Sequence, residues 1–297
     1  MTLRDLAILI GVCLVWAGNS VVSKMVISQL GAPPVFYAAV RFAVVVLATA
    51  PWLFPAPRPL WRMIVVGLLM GGGTFALTFI GLQTTTPSAM AVIVQLGVPI
   101  STVLSMTMLG ERIHWRRGVG IALALAGVLI VMLDPRGLTP SLGMLFIAAS
   151  AVTGSLGAVM MKQFEGVRPL QFQAWVGFAS LWPLAAISAV TEHGQVALVQ
   201  AHFAPFTAAV LFSGLVVSVI GHTAYFGLIQ KYEVNLLQPL TLMTPLATIG
   251  LGVLLTHDAF GPRMAIGTVV ALAGVLIIAL RRNQVMPLLL LLRNRAQ

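Results

Sequence analysis

Apolar runs long enough to cross a bilayer recur from Leu6 to Leu280 with only short polar breaks, and that recurrence excludes a water-soluble fold. About 20 residues suffice for each crossing. Ten runs can be marked: Leu6 to Ile27, Pro34 to Phe54, Trp61 to Leu82, Ser88 to Leu109, Arg117 to Leu133, Leu142 to Met161, Leu170 to Val190, Pro205 to Ile229, Leu236 to Leu255 and Met264 to Leu280. Each is continuously apolar and lacks the weak alternation over about ten residues that marks outer-membrane strands. The expected class is therefore all-α, a polytopic membrane protein of ten transmembrane helices. Only 8% of the residues are charged, against roughly 25% in a soluble domain, so no soluble domain fits between the runs.

The first run, with Arg4 ahead of it, reads as an uncleaved helix. Nine runs follow, and no small-residue cleavage site stands near Trp16. The net charge of +10 would suggest nucleic-acid binding in a soluble chain. Here its placement reports topology, and no nucleic-acid partner is expected. With the N-terminus inside, the inner segments hold Arg4, Arg58, Arg62, Arg112, Arg116, Arg117, Lys162, Arg168, Lys231, Arg281, Arg282, Arg293 and Arg295, while the outer loops hold Arg136 and Arg263. This asymmetry places both termini in the cytoplasm and requires an even number of spans. Cys13 is the single cysteine, so no disulfide or cysteine-based metal site is expected.

Ala124-Leu125-Ala126-Gly127-Val128-Leu129-Ile130 returns letter for letter as Ala271-Leu272-Ala273-Gly274-Val275-Leu276-Ile277, 147 positions later. At a spacing of 146, Pro99 falls on Pro245, Gly81 on Gly227 and Thr102 on Thr248. The chain divides accordingly into a first five-helix repeat (1–137), a second (138–283) and a cytoplasmic tail (284–297). Each half has an odd number of spans, so the second enters the membrane from the opposite face. Inverted repeats are a recurrent design of alternating-access transporters. The apolar stretch Pro287 to Arg293 is too short to span and is expected to lie on the inner surface or to be disordered.

Trp16, Asn19, Lys24, Pro33-Pro34 and Arg41 in the first two helices, with Pro99, Leu109-Gly110-Glu111 and Gly127-Val128 in the fourth and fifth, resemble the EamA-type exporters of the drug/metabolite transporter superfamily. The resemblance covers the whole chain and implies a ten-helix exporter of the bacterial inner membrane with a central cavity. The abundance of mid-helix aromatics is most similar to the branch exporting aromatic and other apolar amino acids. One departure stands where the first half has Glu111: the repeat position is His257, followed by Asp258.

Helices four and nine are the expected path-lining elements. Pro99 and Pro245 each remove a backbone hydrogen bond and free the carbonyl four residues earlier, at Gln95 and Thr241, where a substrate amine or hydroxyl could bind. Gln238, Thr241, Thr244 and Thr248 share one helical face, with interhelical packing as the plainer alternative. Phe172, Trp175, Phe178 and Trp182 form an aromatic stripe on helix seven. It is expected either to wall a cavity or to pack and face lipid. Phe75 and Phe79 on helix three, with Tyr225, could oppose it, and Trp16 and Asn19 on the first helix could join the site.

Lys24 and Arg41 lie within apolar runs while all seven acidic residues lie in loops or at helix ends. The favoured reading has both snorkel to the outer interface; the alternative has them attract a substrate carboxylate. The only embedded group suited to proton coupling is His222, and uncoupled facilitated transport or exchange is the simpler expectation. The five histidines are dispersed and no H-E-x-x-H or phosphate-loop spacing occurs. An enzyme, a cofactor and a metal are therefore not expected. A small-molecule substrate, most readily an amino acid, and the lipid bilayer are the expected partners, with a monomer sufficient for function. The alternative is an exporter of drugs or lipophilic cations, attracted by the aromatic side chains.

Overall fold

The structure, a computed structural model, describes residues 1–109, 115–132, 141–161, 163–164, 166–232, 237 and 240–279. The described residues form helices and no strands. These are α1 Leu3–Ser28, α2 Pro34–Thr49, α3 Leu60–Leu82, α4 Pro87–Met108, α5 Trp115–Met132, α6 Leu142–Met161, α7 Pro169–Thr191, α8 203–231, α9 Met243–Leu255 and α10 Pro262–Ala279. A short helical segment, Gln195–Ala201, joins α7 to α8. Among the described residues, seven helices are long and apolar enough to cross a membrane, and α5, α9 and α10 contain shorter apolar stretches. Proline opens α2, α4, α7 and α10, where its missing N–H costs nothing because first-turn donors have no helical partner. The expected start of the ninth helix, including Gln238, and the tail lie outside the described residues, as does Glu111.

Packing exchanges elements between the halves. Helix α3 packs on α6 and α7, and α4 on α6; in the other direction α8 packs on α1 and α2, and α9 on α1. Replacing each helix by the one five later reproduces this scheme. The pairs α2 with α7, α4 with α9, and α5 with α10 map onto themselves.

The α5–α10 pair accounts for the repeated heptapeptide. A Cβ on Gly127 would collide with the backbone of Ala271, and one on Gly274 with the backbone of Ala124. Farther out, Gly120 would meet the Gly274 carbonyl at 2.8 Å, and Gly267 the Gly127 carbonyl at 2.8 Å. The two copies thus lie antiparallel against each other, each presenting its glycine to the other's alanine. Small residues at such a seam let backbones approach closely enough for dispersion to hold helices together where lipid removes the hydrophobic drive.

Both halves also contain a π-helical stretch at matching places, Leu68–Gly73 in α3 and Phe212–His222 in α8. Wider winding displaces backbone hydrogen bonds, and side-chain hydroxyls satisfy some of them. Ser180 of α7 accepts from the Gly72 N–H at 2.7 Å and donates to the Gly67 carbonyl at 3.1 Å. Thr74 donates to the Leu69 carbonyl at 2.7 Å and Ser218 to the Ser213 carbonyl at 2.9 Å, each reaching back five residues.

Charged groups at the ends tie helix termini together. At one end Glu192 accepts from the Val35 and Phe36 N–H groups at the start of α2, at 2.9 and 2.7 Å. Asp258 accepts from the Ser88 N–H at the start of α4, at 2.9 Å, and from the Ser88 and Thr256 hydroxyls. Lys24 donates to the Leu82 carbonyl, at 2.7 Å, where α3 ends. Anions at helix N-termini and a cation at a C-terminus all complement the helix dipoles. At the other end Asp5 accepts from Lys231 and Tyr232, joining α1 to the end of α8. Asp258→Ala is expected to lower stability by about 1 kcal/mol, the usual cost of a lost N-terminal cap, read as a lower thermal midpoint in mild detergent.

Lys24 therefore does reach an end of the bundle. Arg41 does not, and the snorkelling expectation fails there: its side chain has 0% exposure, because its position on α2 turns it toward α8 rather than along the membrane-facing side.

Candidate functional site

Helix α4 begins as α-helix over Pro87–Ile93, tightens to 3₁₀ winding at Val94–Leu96 and resumes at Gly97. The tightened turn ends just before Pro99, whose ring cannot continue the hydrogen-bond ladder. Ser155 of α6 donates to the Gly97 carbonyl, at 2.9 Å, in this irregular region. Across from it, α9 carries Pro245 in its first turn.

These two irregular places and α1 enclose a cavity of about 210 Å³. Trp16 and Ser20 of α1, Met90, Ala91, Val94 and Gln95 of α4, and Thr241, Thr244, Pro245 and Thr248 around the start of α9 line it. Trp16, Gln95, Thr241, Thr244 and Pro245, separated by up to 229 positions in sequence, thus share one cavity. Pro99 is buried beside it without lining it. Behind Trp16 stand Tyr225, 5.0 Å away and edge-on, and His222, 5.3 Å away. Thr248 donates to the Thr244 carbonyl at 2.9 Å. Sequence reasoning did not place Ser20 in the site, although it lies one turn from Trp16 on the same face. Met90, Ala91 and Val94 carry no polar signal that could have marked them.

Other expected residues lie elsewhere. Asn19 accepts from the Ser213 hydroxyl at 2.6 Å and works between α1 and α8. Phe79 packs on Tyr37 at 5.0 Å and Phe75 on Phe42 at 5.6 Å, in an aromatic cluster between α2 and α3. The stripe on α7 runs from inside to outside: Trp175 is buried and donates to the Leu53 carbonyl at 3.2 Å, Phe178 stands edge-on between the two tryptophans, and Trp182 is 60% exposed. The structure does not bring these three into the cavity.

Chemically the cavity offers an indole, a carboxamide, hydroxyls and apolar walls, with no charged side chain among its lining residues. Such a set suits a small solute of no net charge. No group of three or more His, Cys, Asp or Glu that could hold a metal occurs among the described residues. Two larger and more open concavities also occur among the described residues, one of about 510 Å³ near Glu192 and an apolar groove of about 420 Å³ along α2 and α7. In the first, Glu192 is already engaged in capping α2.

Comparison with known proteins gives the same class. A protein of known crystal structure superimposes over 93% of this chain and 96% of its own, with a TM-score of 0.61 at 19% identity, so the two share a fold. The chain is 23% identical over 286 residues to a probable amino-acid metabolite efflux pump of Escherichia coli, covering 93% of this chain and 95% of the relative. It is 24% identical over 288 residues to the protein of the same description in Salmonella typhimurium, again covering 93% and 95%. The model of the EamA-like transporter family matches twice, at residues 4–133 and 141–280. A helical membrane chain matched over nearly its whole length by that model belongs to the EamA-like transporter family, within the drug/metabolite transporter superfamily.

Proposed function

We propose that this transporter exports small amino acid-like solutes, with aromatic and other apolar amino acids as the best fit, across the bacterial inner membrane by alternating access. The observation that carries the reading is the cavity where the interrupted α4 and the start of α9 meet Trp16. Its volume of about 210 Å³ lies below the roughly 300–1,000 Å³ of pockets for drug-sized ligands. Its indole and apolar walls match an apolar side chain, and Gln95 and Thr241 offer hydrogen bonds to the polar end. The names of the bacterial relatives agree with an amino-acid cargo.

The two halves, 1–137 and 138–283, act as inverted repeats whose exchange of conformation turns the cavity from one face to the other. Both termini lie in the cytoplasm, following the basic residues, and one chain suffices. Because a zwitterion carries no net charge, its movement does no work against the membrane potential, and transport needs no coupled proton.

Counterflow in proteoliposomes with a panel of amino acids, run with and without a proton gradient, tests this. Phenylalanine should exchange at the same rate in both conditions and should outcompete a quaternary ammonium. Cation uptake insensitive to every amino acid would overturn the cargo. Exchange that stops when the gradient is collapsed would overturn the uncoupled mechanism and return attention to His222.

A further inference from the structure

Arg41 lies in α2 with none of its surface exposed, and its described surroundings do not neutralise it. Its Nε and Nη2 both donate to the Ser218 hydroxyl, at 3.1 and 2.9 Å. Its guanidinium rests over the Phe75 ring, 4.0 Å from the centroid. Nη1 is buried with no hydrogen-bond partner. The network around it is neutral: Ser218 donates to the Ser213 carbonyl, and the Ser213 hydroxyl bonds Asn19 and Tyr37.

The carboxylates among the described residues are engaged elsewhere, Asp5 with Lys231, Glu192 with the start of α2, and Asp258 with Ser88. Arginine cannot shed its charge. An uncompensated ion taken out of water is costly, and cations held within a membrane face a partner or a transport path. The position therefore calls for an anion that these side chains do not supply.

The path side is close. Ser218, which accepts from the guanidinium, stands four residues before His222 in α8, and His222 packs against Trp16, which lines the cavity. Trp16 Nε1 is a second buried N–H without a partner. Ser218, which holds the guanidinium, sits in the π-helical stretch of α8, a winding frequent at functional sites.

We propose that Arg41 is the anchor for the substrate's carboxylate, engaged when the cavity opens past Trp16 toward α2 and α8 during the transport cycle. This rests on the amino-acid reading above. A guanidinium binds a carboxylate through its planar fork, which leaves the amine of the substrate to the oxygens of Gln95 and Thr241. The transported solute then supplies the missing counter-charge.

The test compares phenylalanine with phenylalaninamide and phenethylamine in proteoliposome counterflow, for wild type, Arg41→Lys and Arg41→Gln. Wild type should prefer the acid by about 10- to 100-fold, the range for a hydrogen bond to a charged group. Arg41→Gln should lose that preference through a raised KM for phenylalanine, and Arg41→Lys should keep part of it. An Arg41→Gln protein that still prefers the acid as wild type does would overturn the anchor. So would one that melts at the wild-type temperature yet loses acid and amide equally. If Arg41→Gln does not fold, wild type alone decides, since an amide that competes as well as the acid overturns the proposal. Counterflow of amino acids without acid-over-amide preference removes the anchor only. Absence of counterflow for every amino acid removes the cargo reading and the anchor with it.

Discussion

Gly127→Leu is expected to remove most of the folded protein, and Gly274→Leu to do the same. Each glycine lies against the backbone of the other copy of the heptapeptide, Gly127 on Ala271 and Gly274 on Ala124. A flexible side-chain tip could move aside, but backbone on a packed helix cannot. Inserting a leucine must force α5 and α10 apart along a seam that also contains Gly120 and Gly267. Overpacking of ordinary cores costs about 1–3 kcal/mol and occasionally more; a backbone collision places this pair at about 3 kcal/mol or above. The measurement is the fraction of monodisperse protein in mild detergent and its thermal midpoint. Gly118, on the same helix, has nothing within 4 Å of an added Cβ. Gly118→Leu should therefore be as stable as wild type or slightly more so, since leucine favours a helix over glycine. Equal losses at 118 and 127 would show that the seam is not what holds the pair.

The second large effect concerns transport. Gln95→Leu and Thr241→Val keep the volume of two cavity-lining side chains while removing their polar groups. Each is expected to slow counterflow by about 10- to 100-fold, corresponding to one or two lost hydrogen bonds to a polar solute, in protein that is still folded and monodisperse in mild detergent. Trp182→Ala should transport near the wild-type rate, because that ring is 60% exposed on the outside of α7. The reverse pattern would move the substrate site to the aromatic stripe and empty the cavity of its proposed role.

These contrasts also mark what could be read from residues alone. Helix number and approximate limits follow from run length, because a bilayer sets one thickness for every span. Gln95 and Thr241 were reachable through Pro99 and Pro245, since a proline announces its own broken ladder. The stripe on α7 was visible as a period, but inside a membrane both faces of a helix are apolar, so the period could not say that Trp182 points outward. Arg41 shows the same limit: a cation in an apolar run can either reach water or be buried, and the choice depends on Ser218, 177 residues away. The cap that Asp258 places on α4 spans 170 residues. The π-helical turns of α3 and α8 depend on hydroxyls reaching across the bundle or five residues back, a pattern that no local residue preference announces.

If the cavity between α1, α4 and α9 holds the substrate and opens to each face in turn, a cysteine placed at Gln95 in a Cys13→Ala background meets a membrane-impermeant thiol reagent from both sides of the membrane. Right-side-out and inside-out vesicles should both label, and phenylalanine at concentrations that saturate transport should slow both reactions. Labelling from one face only, or labelling that no transported solute slows, would contradict the account.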